Sequence, residues 1–166
     1  MGAERLEKLG FPAEFVDKPP LPFPVVGTVR SPQQAQFHPL KFVSGIAKGL
    51  HICEHTQARE LIGTTAVTNH VRICAKKIIV TTHFPFLNTH SSYFLKLYQR
   101  RSYVIALKNT PDVDGMYLDE AQAGMSFRNY KHLLLVGSGD HRTGKKGGGW
   151  QELRNFTQRH YPQAEE

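Results

Sequence analysis

The sequence predicts an α+β fold: a small α/β piece inserted within a mixed, mostly antiparallel sheet. Three observations lead there. Leu40, Val43, Ile46, Ala47 and Leu50 recur at helical spacing. Ile78-Ile79-Val80-Thr81-Thr82 is an unbroken β-branched run, the pattern of a strand covered on both faces. The second half of the chain is a series of short strand-like runs divided by turn-prone residues.

Taken in order, Lys18 to Pro24 holds four prolines in seven residues, so it is extended and links Met1–Val16 to the rest of the chain. Val25–Arg30 suits a short strand. Pro39 fits the first turn of a helix, with Gly49 near its end. Leu50–Thr56 then reads as a strand. Ala58–Ile62, Thr65–Thr68 and Val71–Cys74 read as a small antiparallel meander. The run at 77–82 is expected to lie beside 50–56. Ser91–Gln99 predicts a short helix. Arg101–Leu107, Met116–Leu118, Met125–Tyr130 and His132–Val136 predict an antiparallel sheet. Gly147–Gly149 break the chain, and Trp150, Leu153, Phe156 and His160 mark one face of a closing helix.

Bulk properties narrow the class. At 166 residues the chain can bury one ordinary core, so a single compact unit is expected. Its 40% hydrophobic and 21% charged content is that of a globular protein and not a disordered one. No apolar run approaches the roughly 20 residues that span a bilayer, and Met1–Gly10 lacks the apolar core of a signal peptide. Cys53 and Cys74 stand far apart without a CxxC pair, which reads as reduced thiols in a cytoplasmic protein. The net charge of +7 is scattered in ones and twos, as in Lys76-Lys77, Arg100-Arg101 and Lys145-Lys146. A basic surface of this kind favours a solvated face over a nucleic-acid site.

The loudest local motif is Gly139-Asp-His-Arg-Thr-Gly144-Lys145-Lys146, which nearly spells the phosphate-binding GxxxxGK[ST]. Its last position lacks the hydroxyl that ligates magnesium, and three more glycines separate it from the following helix. It is expected to be a flexible basic loop spanning Gly137–Gly149. His51, Cys53 and His55 alternate along a strand-like run, but a flat strand seldom converges ligands on zinc. The other histidines (His38, His70, His83, His90, His132, His141, His160) show no HExxH or paired spacing, and no GxGxxG follows a strand. No metal site is expected.

Three stretches carry a family likeness: Gln36-Phe37-His38-Pro39-Leu40-Lys41-Phe42, Ile78 to Phe86, and Gly139-Asp140-His141-Arg142-Thr143-Gly144. In this order, and over about Leu6 to Pro162, the chain resembles FAD-dependent oxidoreductases of the D-amino-acid oxidase and glycine oxidase superfamily. The resemblance implies that 37–90 is part of an FAD-binding domain, and that 1–36 with 91–166 form a substrate domain whose sheet roofs the flavin. It implies FAD contacts at Gln57-Ala58, where the family's main chain meets the adenine, and at Thr81-Thr82, where the family's strand ends in Ala-Thr-Gly. The glycine of that ending is replaced by His83.

The implied activity is oxidation of an amine or amino acid by hydride transfer to the flavin. An arginine and a tyrosine hold the substrate carboxylate in the family, and a guanidinium suits a carboxylate bidentately. Tyr103, Arg128, Tyr130 and Arg142 are the candidates here. The family's opening glycine-rich turn and closing FAD segment have no counterpart, so the chain is expected to be an internal fragment. Its partners would then be the missing N- and C-terminal segments of the same enzyme, and FAD binding would be weak or absent. One rival reading is a non-catalytic basic module that binds nucleotides or nucleic acid through Arg142, Lys145 and Lys146. A second is an interaction or scaffold protein derived from the oxidase.

Overall fold

In the computed structural model, residues 2–84, 86–87, 92–121 and 124–166 are described. Pro85, His90 and Ser91, which belong to sequence expectations, lie outside the described residues. The chain divides into two units, Met1–Ala35 with Arg100–Glu166, and Gln36–Gln99.

The first unit begins with helix α1, Gly2–Lys8, and a short antiparallel pair, β1 (Glu14–Val16) with β2 (Thr28–Arg30). Glu14 sits opposite Arg30, and their side chains pair at 3.3 Å. The proline-rich stretch between these strands places Leu21 and Phe23 against the unit's core. Phe23 meets Phe127 and Phe156 at ring-centroid distances of 5.3 and 5.2 Å.

The second unit holds helix α2 (Pro39–Ile46), the meander β3 (Ala58–Ile62), β4 (Thr65–Thr68) and β5 (Arg72–Cys74), and a single turn of helix, α3 (Tyr93–Lys96). Pro39 opens α2 as expected, and the His38 ring caps it by accepting from the Lys41 amide at 3.3 Å. The meander follows the predicted segments closely, with Ile62 opposite Thr65 across the turn at Gly63.

Two expected strands are absent from this unit. Residues 50–56 form no ladder: His55 takes φ 55°, which turns the chain, and Asn69 bonds the His55 carbonyl at 3.1 Å. Residues 77–82 are also irregular, with Ile79 84% exposed. A strand buried on both faces needs neighbours at its edges and layers above and below. No described residue of this unit is buried, so the β-branched run finds neither. The helix expected over 91–99 shrinks to α3, because Ser92 is left-handed and Leu97 is already extended.

The rest of the first unit is a four-stranded antiparallel sheet and a helix. Strands β6 (Arg100–Leu107), β7 (Met116–Leu118), β8 (Ser126–Tyr130) and β9 (Leu133–Arg142) take the order β6-β9-β8-β7. Helix α4, Gly149–His160, covers one face. Ile105, Leu107, Phe127, Leu134 and Val136 point from the sheet into a core completed by Val113, Leu153 and Tyr161. Of the predicted helix face, Leu153 is fully buried, Phe156 packs at the core's edge, and His160 lies 4.6 Å from the Phe156 ring.

The expected loop over Gly137–Gly149 is a further correction. Strand β9 continues through Gly137 to Arg142, pairing with β6 as far as Arg100↔Arg142. Two glycines in the run suggest a break, yet Gly139 serves as the left-handed residue of a bulge, at φ 73°, where the register shifts between Arg101 and Tyr103. Only 143–148 remain as connection, tightened by a 2.9 Å bond from the Lys145 amide to the Arg142 carbonyl. The first half of the near-P-loop, Gly139–Arg142, is thus strand, and its amides cannot converge on a phosphate as a wrapped loop would.

Candidate functional site

Strand alternation assigns the two faces of the sheet. With Ile105, Phe127, Leu134 and Val136 turned to α4, their neighbours Val104, Ser126, Arg128 and Leu135 must face the other way. These residues, with Met116, Tyr117 and Gly137, line a hollow of about 230 Å³ on the uncovered face. Gly137 keeps its floor open: a Cβ there would lie 2.6 Å from Ser126 Oγ and 3.6 Å from Val104 Cγ2. A glycine in a central strand is the usual means of letting another group approach the backbone.

Arg128 stands in the middle of this face, in register with Leu135 on β9 and Met116 on β7. It is half-buried, and among the described residues no carboxylate pairs with it. A guanidinium set among apolar groups without a counter-ion is arranged to receive an anion. Tyr117, in register with Phe127, packs at the edge of the core on the other face. Burial and the nearby Asp114 raise its hydroxyl above its ordinary pKa, with Arg30 acting the other way. Tyr117 therefore stays protonated through neutral pH.

The four substrate-side candidates do not converge. Tyr130 shares the face of Arg128 but lies outside the hollow, exposed, with Lys131 Nζ 5.7 Å from its ring. Tyr103 points to the opposite face, stacked on His141 at 5.6 Å and edge-on to Trp150 at 5.0 Å. Arg142 is exposed at the sheet end, opposite Arg100. Val104, Met116, Tyr117, Ser126, Leu135 and Gly137 were not singled out from sequence. The available signal was the alternation in 103–107 and 126–130, together with a glycine closing an apolar run.

His141 was also missed as a structural centre. The Gly139 bulge brings it onto the face of Tyr103, where its Nδ1 donates to the Gly139 carbonyl at 3.1 Å. A Cβ on Gly147 would fall 2.5 Å from its ring, so the glycines after the turn fold directly over it.

The residues implied for FAD lie in the other unit and do not form a cradle there. Asn69 engages Gln57 on both sides: its Oδ1 accepts from the Gln57 amide at 2.8 Å, and its amide donates to the Gln57 carbonyl at 3.0 Å. Ala58 is in register with Thr68. Thr81 and Thr82 are exposed and outside any strand. The main-chain groups at 57–58 are thus satisfied within the meander, which does not fit an adenine contact. His51, Cys53 and His55 are exposed, and no group of ligands able to hold a metal occurs among the described residues.

Comparison with known proteins bears on the whole chain. No solved structure matches. A protein of Bacillus subtilis (strain 168) named as a Rieske 2Fe-2S iron-sulfur protein, YhfW, is 30% identical over 156 residues. The match covers 86% of this chain and 31% of that protein, so the chain spans under a third of its relative's length. The family model described as FAD dependent oxidoreductase matches residues 2–166, end to end across both units. The chain belongs to the FAD dependent oxidoreductase family.

Proposed function

We propose that the first unit supplies the substrate-side surface of an amine- or amino-acid-oxidising flavoenzyme, with Arg128 receiving the substrate carboxylate. The observation that carries this reading is the half-buried, unpaired Arg128 beside an apolar hollow floored by Gly137. A carboxylate held there leaves the amine-bearing carbon over Val104, Leu135 and Gly137, on the uncovered face of the sheet. Tyr103 and Arg142 have no part in the hollow, and Tyr130 sits beside it. The second unit is the share of the flavin-binding domain carried by this chain, and the remaining flavin contacts come from other segments of the same enzyme. Exposed, unpaired Cys53 and Cys74 support a cytoplasmic setting.

The test is a titration of the chain with neutral amino acids and the matching decarboxylated amines, followed by amide shifts at Ser126, Arg128 and Gly137. Arg128→Leu is expected to weaken amino-acid binding about 10- to 100-fold, the worth of a charged hydrogen-bonded contact. Binding of the amines should be unchanged. Equal loss for both ligand classes, or shifts clustered away from β8 and β9, would overturn the assignment.

A further inference from the structure

Of the residues lining the hollow, two turn a polar side chain to the uncovered face, Arg128 and Ser126. Ser126 lies two positions before Arg128 on β8, so both side chains leave the same side of the sheet. Its register neighbours are Leu118 on β7 and Gly137 on β9, with Val104 of β6 opposite Gly137 in turn. None of the three carries a polar side chain. The Ser126 residue is half-buried, and its hydroxyl makes no hydrogen bond to a described residue.

Gly137 decides where that hydroxyl sits. A Cβ on Gly137 would lie 2.6 Å from Ser126 Oγ, so the oxygen stands in the space that a side chain at 137 would fill. It rests on the floor of the hollow among apolar groups. There its hydrogen bonds come only from water or from a ligand, and a ligand that covers it without pairing it is penalised.

We propose that, with Arg128 as the carboxylate site, on which this reading rests, Ser126 receives the amine of the same substrate. Two residues of strand separate the side chains by about 7 Å. An α-amino acid spans that distance when its carboxylate and its amine each make a hydrogen bond of about 2.9 Å. The hydroxyl oxygen has two lone pairs and accepts from an ammonium or from a free amine alike. Ser126 therefore orients the amine without taking a proton from it. A ligand with a carboxylate but no amine sets a carbon against the hydroxyl and leaves it unpaired. The two residues divide the work: Arg128 supplies affinity for the acid group, and Ser126 supplies the preference for an α-amino acid over a simple carboxylic acid.

The test compares three ligands, alanine, propionate and ethylamine, each titrated into the chain and followed by the amide shifts of Ser126 and Gly137. Propionate lacks the amine of alanine, and ethylamine lacks its carboxylate. Alanine is expected to bind about tenfold more tightly than propionate, the worth of one hydrogen bond to a charged group. Ser126→Ala should erase that preference, weakening alanine and ethylamine about tenfold and leaving propionate as before. Ser126→Thr keeps the hydroxyl on a residue suited to a strand and should keep the preference. Arg128→Leu should weaken alanine and propionate and spare ethylamine. An unchanged preference in Ser126→Ala would overturn the role of Ser126. So would an equal weakening of all three ligands, which is the mark of a disturbed sheet. In either case a loss of propionate binding in Arg128→Leu would show that the carboxylate site stands without it. Propionate binding untouched by Arg128→Leu would overturn the carboxylate site, and the amine site with it.

Discussion

Gly139 shows how much of the first unit turns on one backbone angle. Its φ of 73° makes the bulge that brings His141 against Tyr103, and the same position lies against the start of α4. A Cβ there would stand 3.0 Å from both the amide nitrogen and the carbonyl oxygen of Gly149. Gly139→Ala is therefore expected to cost about 1–3 kcal/mol, from the left-handed backbone and the crowding together, measured as a lower urea midpoint at unchanged slope. Tyr161 is the opposite case, a residue whose polar atom works against the fold. It is 5% exposed and its hydroxyl has no hydrogen-bond partner. Burial pushes its pKa from 10.0 up to about 12. Because the folded state holds this proton more tightly, the contribution is intact below pH 10. It is lost as pH rises from 10 to about 12, at about 1.4 kcal/mol per pH unit. Tyr161→Phe should remove that alkaline loss. It should also leave neutral-pH stability equal or higher by about 1 kcal/mol, since it deletes an unsatisfied buried group. Chemical denaturation at pH 7 and at pH 11 reads both effects. A variant less stable than its parent at pH 11 would show the hydroxyl to be satisfied.

At the scale of elements, the readable ones were those whose own residues decide them. The meander and β6 to β8 carry alternation and turn residues locally, and they form within a residue or so of where the pattern sets them. Residues 50–56 and 77–82 carry strand propensity without pairing partners, and propensity alone makes no ladder. The end of β9 failed in the other direction. Gly137 and Gly139 look like punctuation, yet one is the floor of the hollow and the other the pivot of a bulge. Of the candidate site, Arg128 was visible as a residue type, but its partners depend on which face each strand presents. That is decided only once Leu153 and its helix have chosen a side. Leu153 is fully buried among Ile105, Leu107, Leu134 and Val136 and is the contact through which α4 fixes the sheet's orientation. Leu153→Ala is expected to cost about 2–5 kcal/mol. For a domain of ordinary stability that is a large share of the whole, so the urea midpoint should fall steeply. It should also loosen the hollow on the far side, visible as broadened amide signals at Arg128 and Leu135. A loss below about 1 kcal/mol would place the core elsewhere.

At the scale of the whole molecule, the two units are unequally finished. The first has a closed core of eight buried side chains. The second has none among its described residues and leaves Leu40, Val43, Ile46, Leu50 and Ile79 each more than half exposed. This difference bears directly on the cofactor of the family. A dinucleotide is gripped where consecutive amides at a helix N-terminus meet its pyrophosphate, usually after a glycine-rich turn. Helix α2 begins instead on Pro39, which has no amide hydrogen, and its Lys41 amide is already taken by His38. The adenine side fares no better, because Asn69 occupies both main-chain groups of Gln57. The isolated chain is therefore expected to bind FAD weakly, although it belongs to an FAD-dependent family. Titrating FAD and following its fluorescence is the direct measurement, with no saturation expected through the micromolar range. Salt separates the two sources of residual affinity. Attraction between a +7 protein and the flavin's pyrophosphate should fade as ionic strength shortens the screening length, whereas a shaped site keeps most of its affinity. Stoichiometric, submicromolar binding that survives salt would mean that the second unit closes around the cofactor. In that case the Asn69–Gln57 bonds must give way, and Asn69→Ala should tighten binding further.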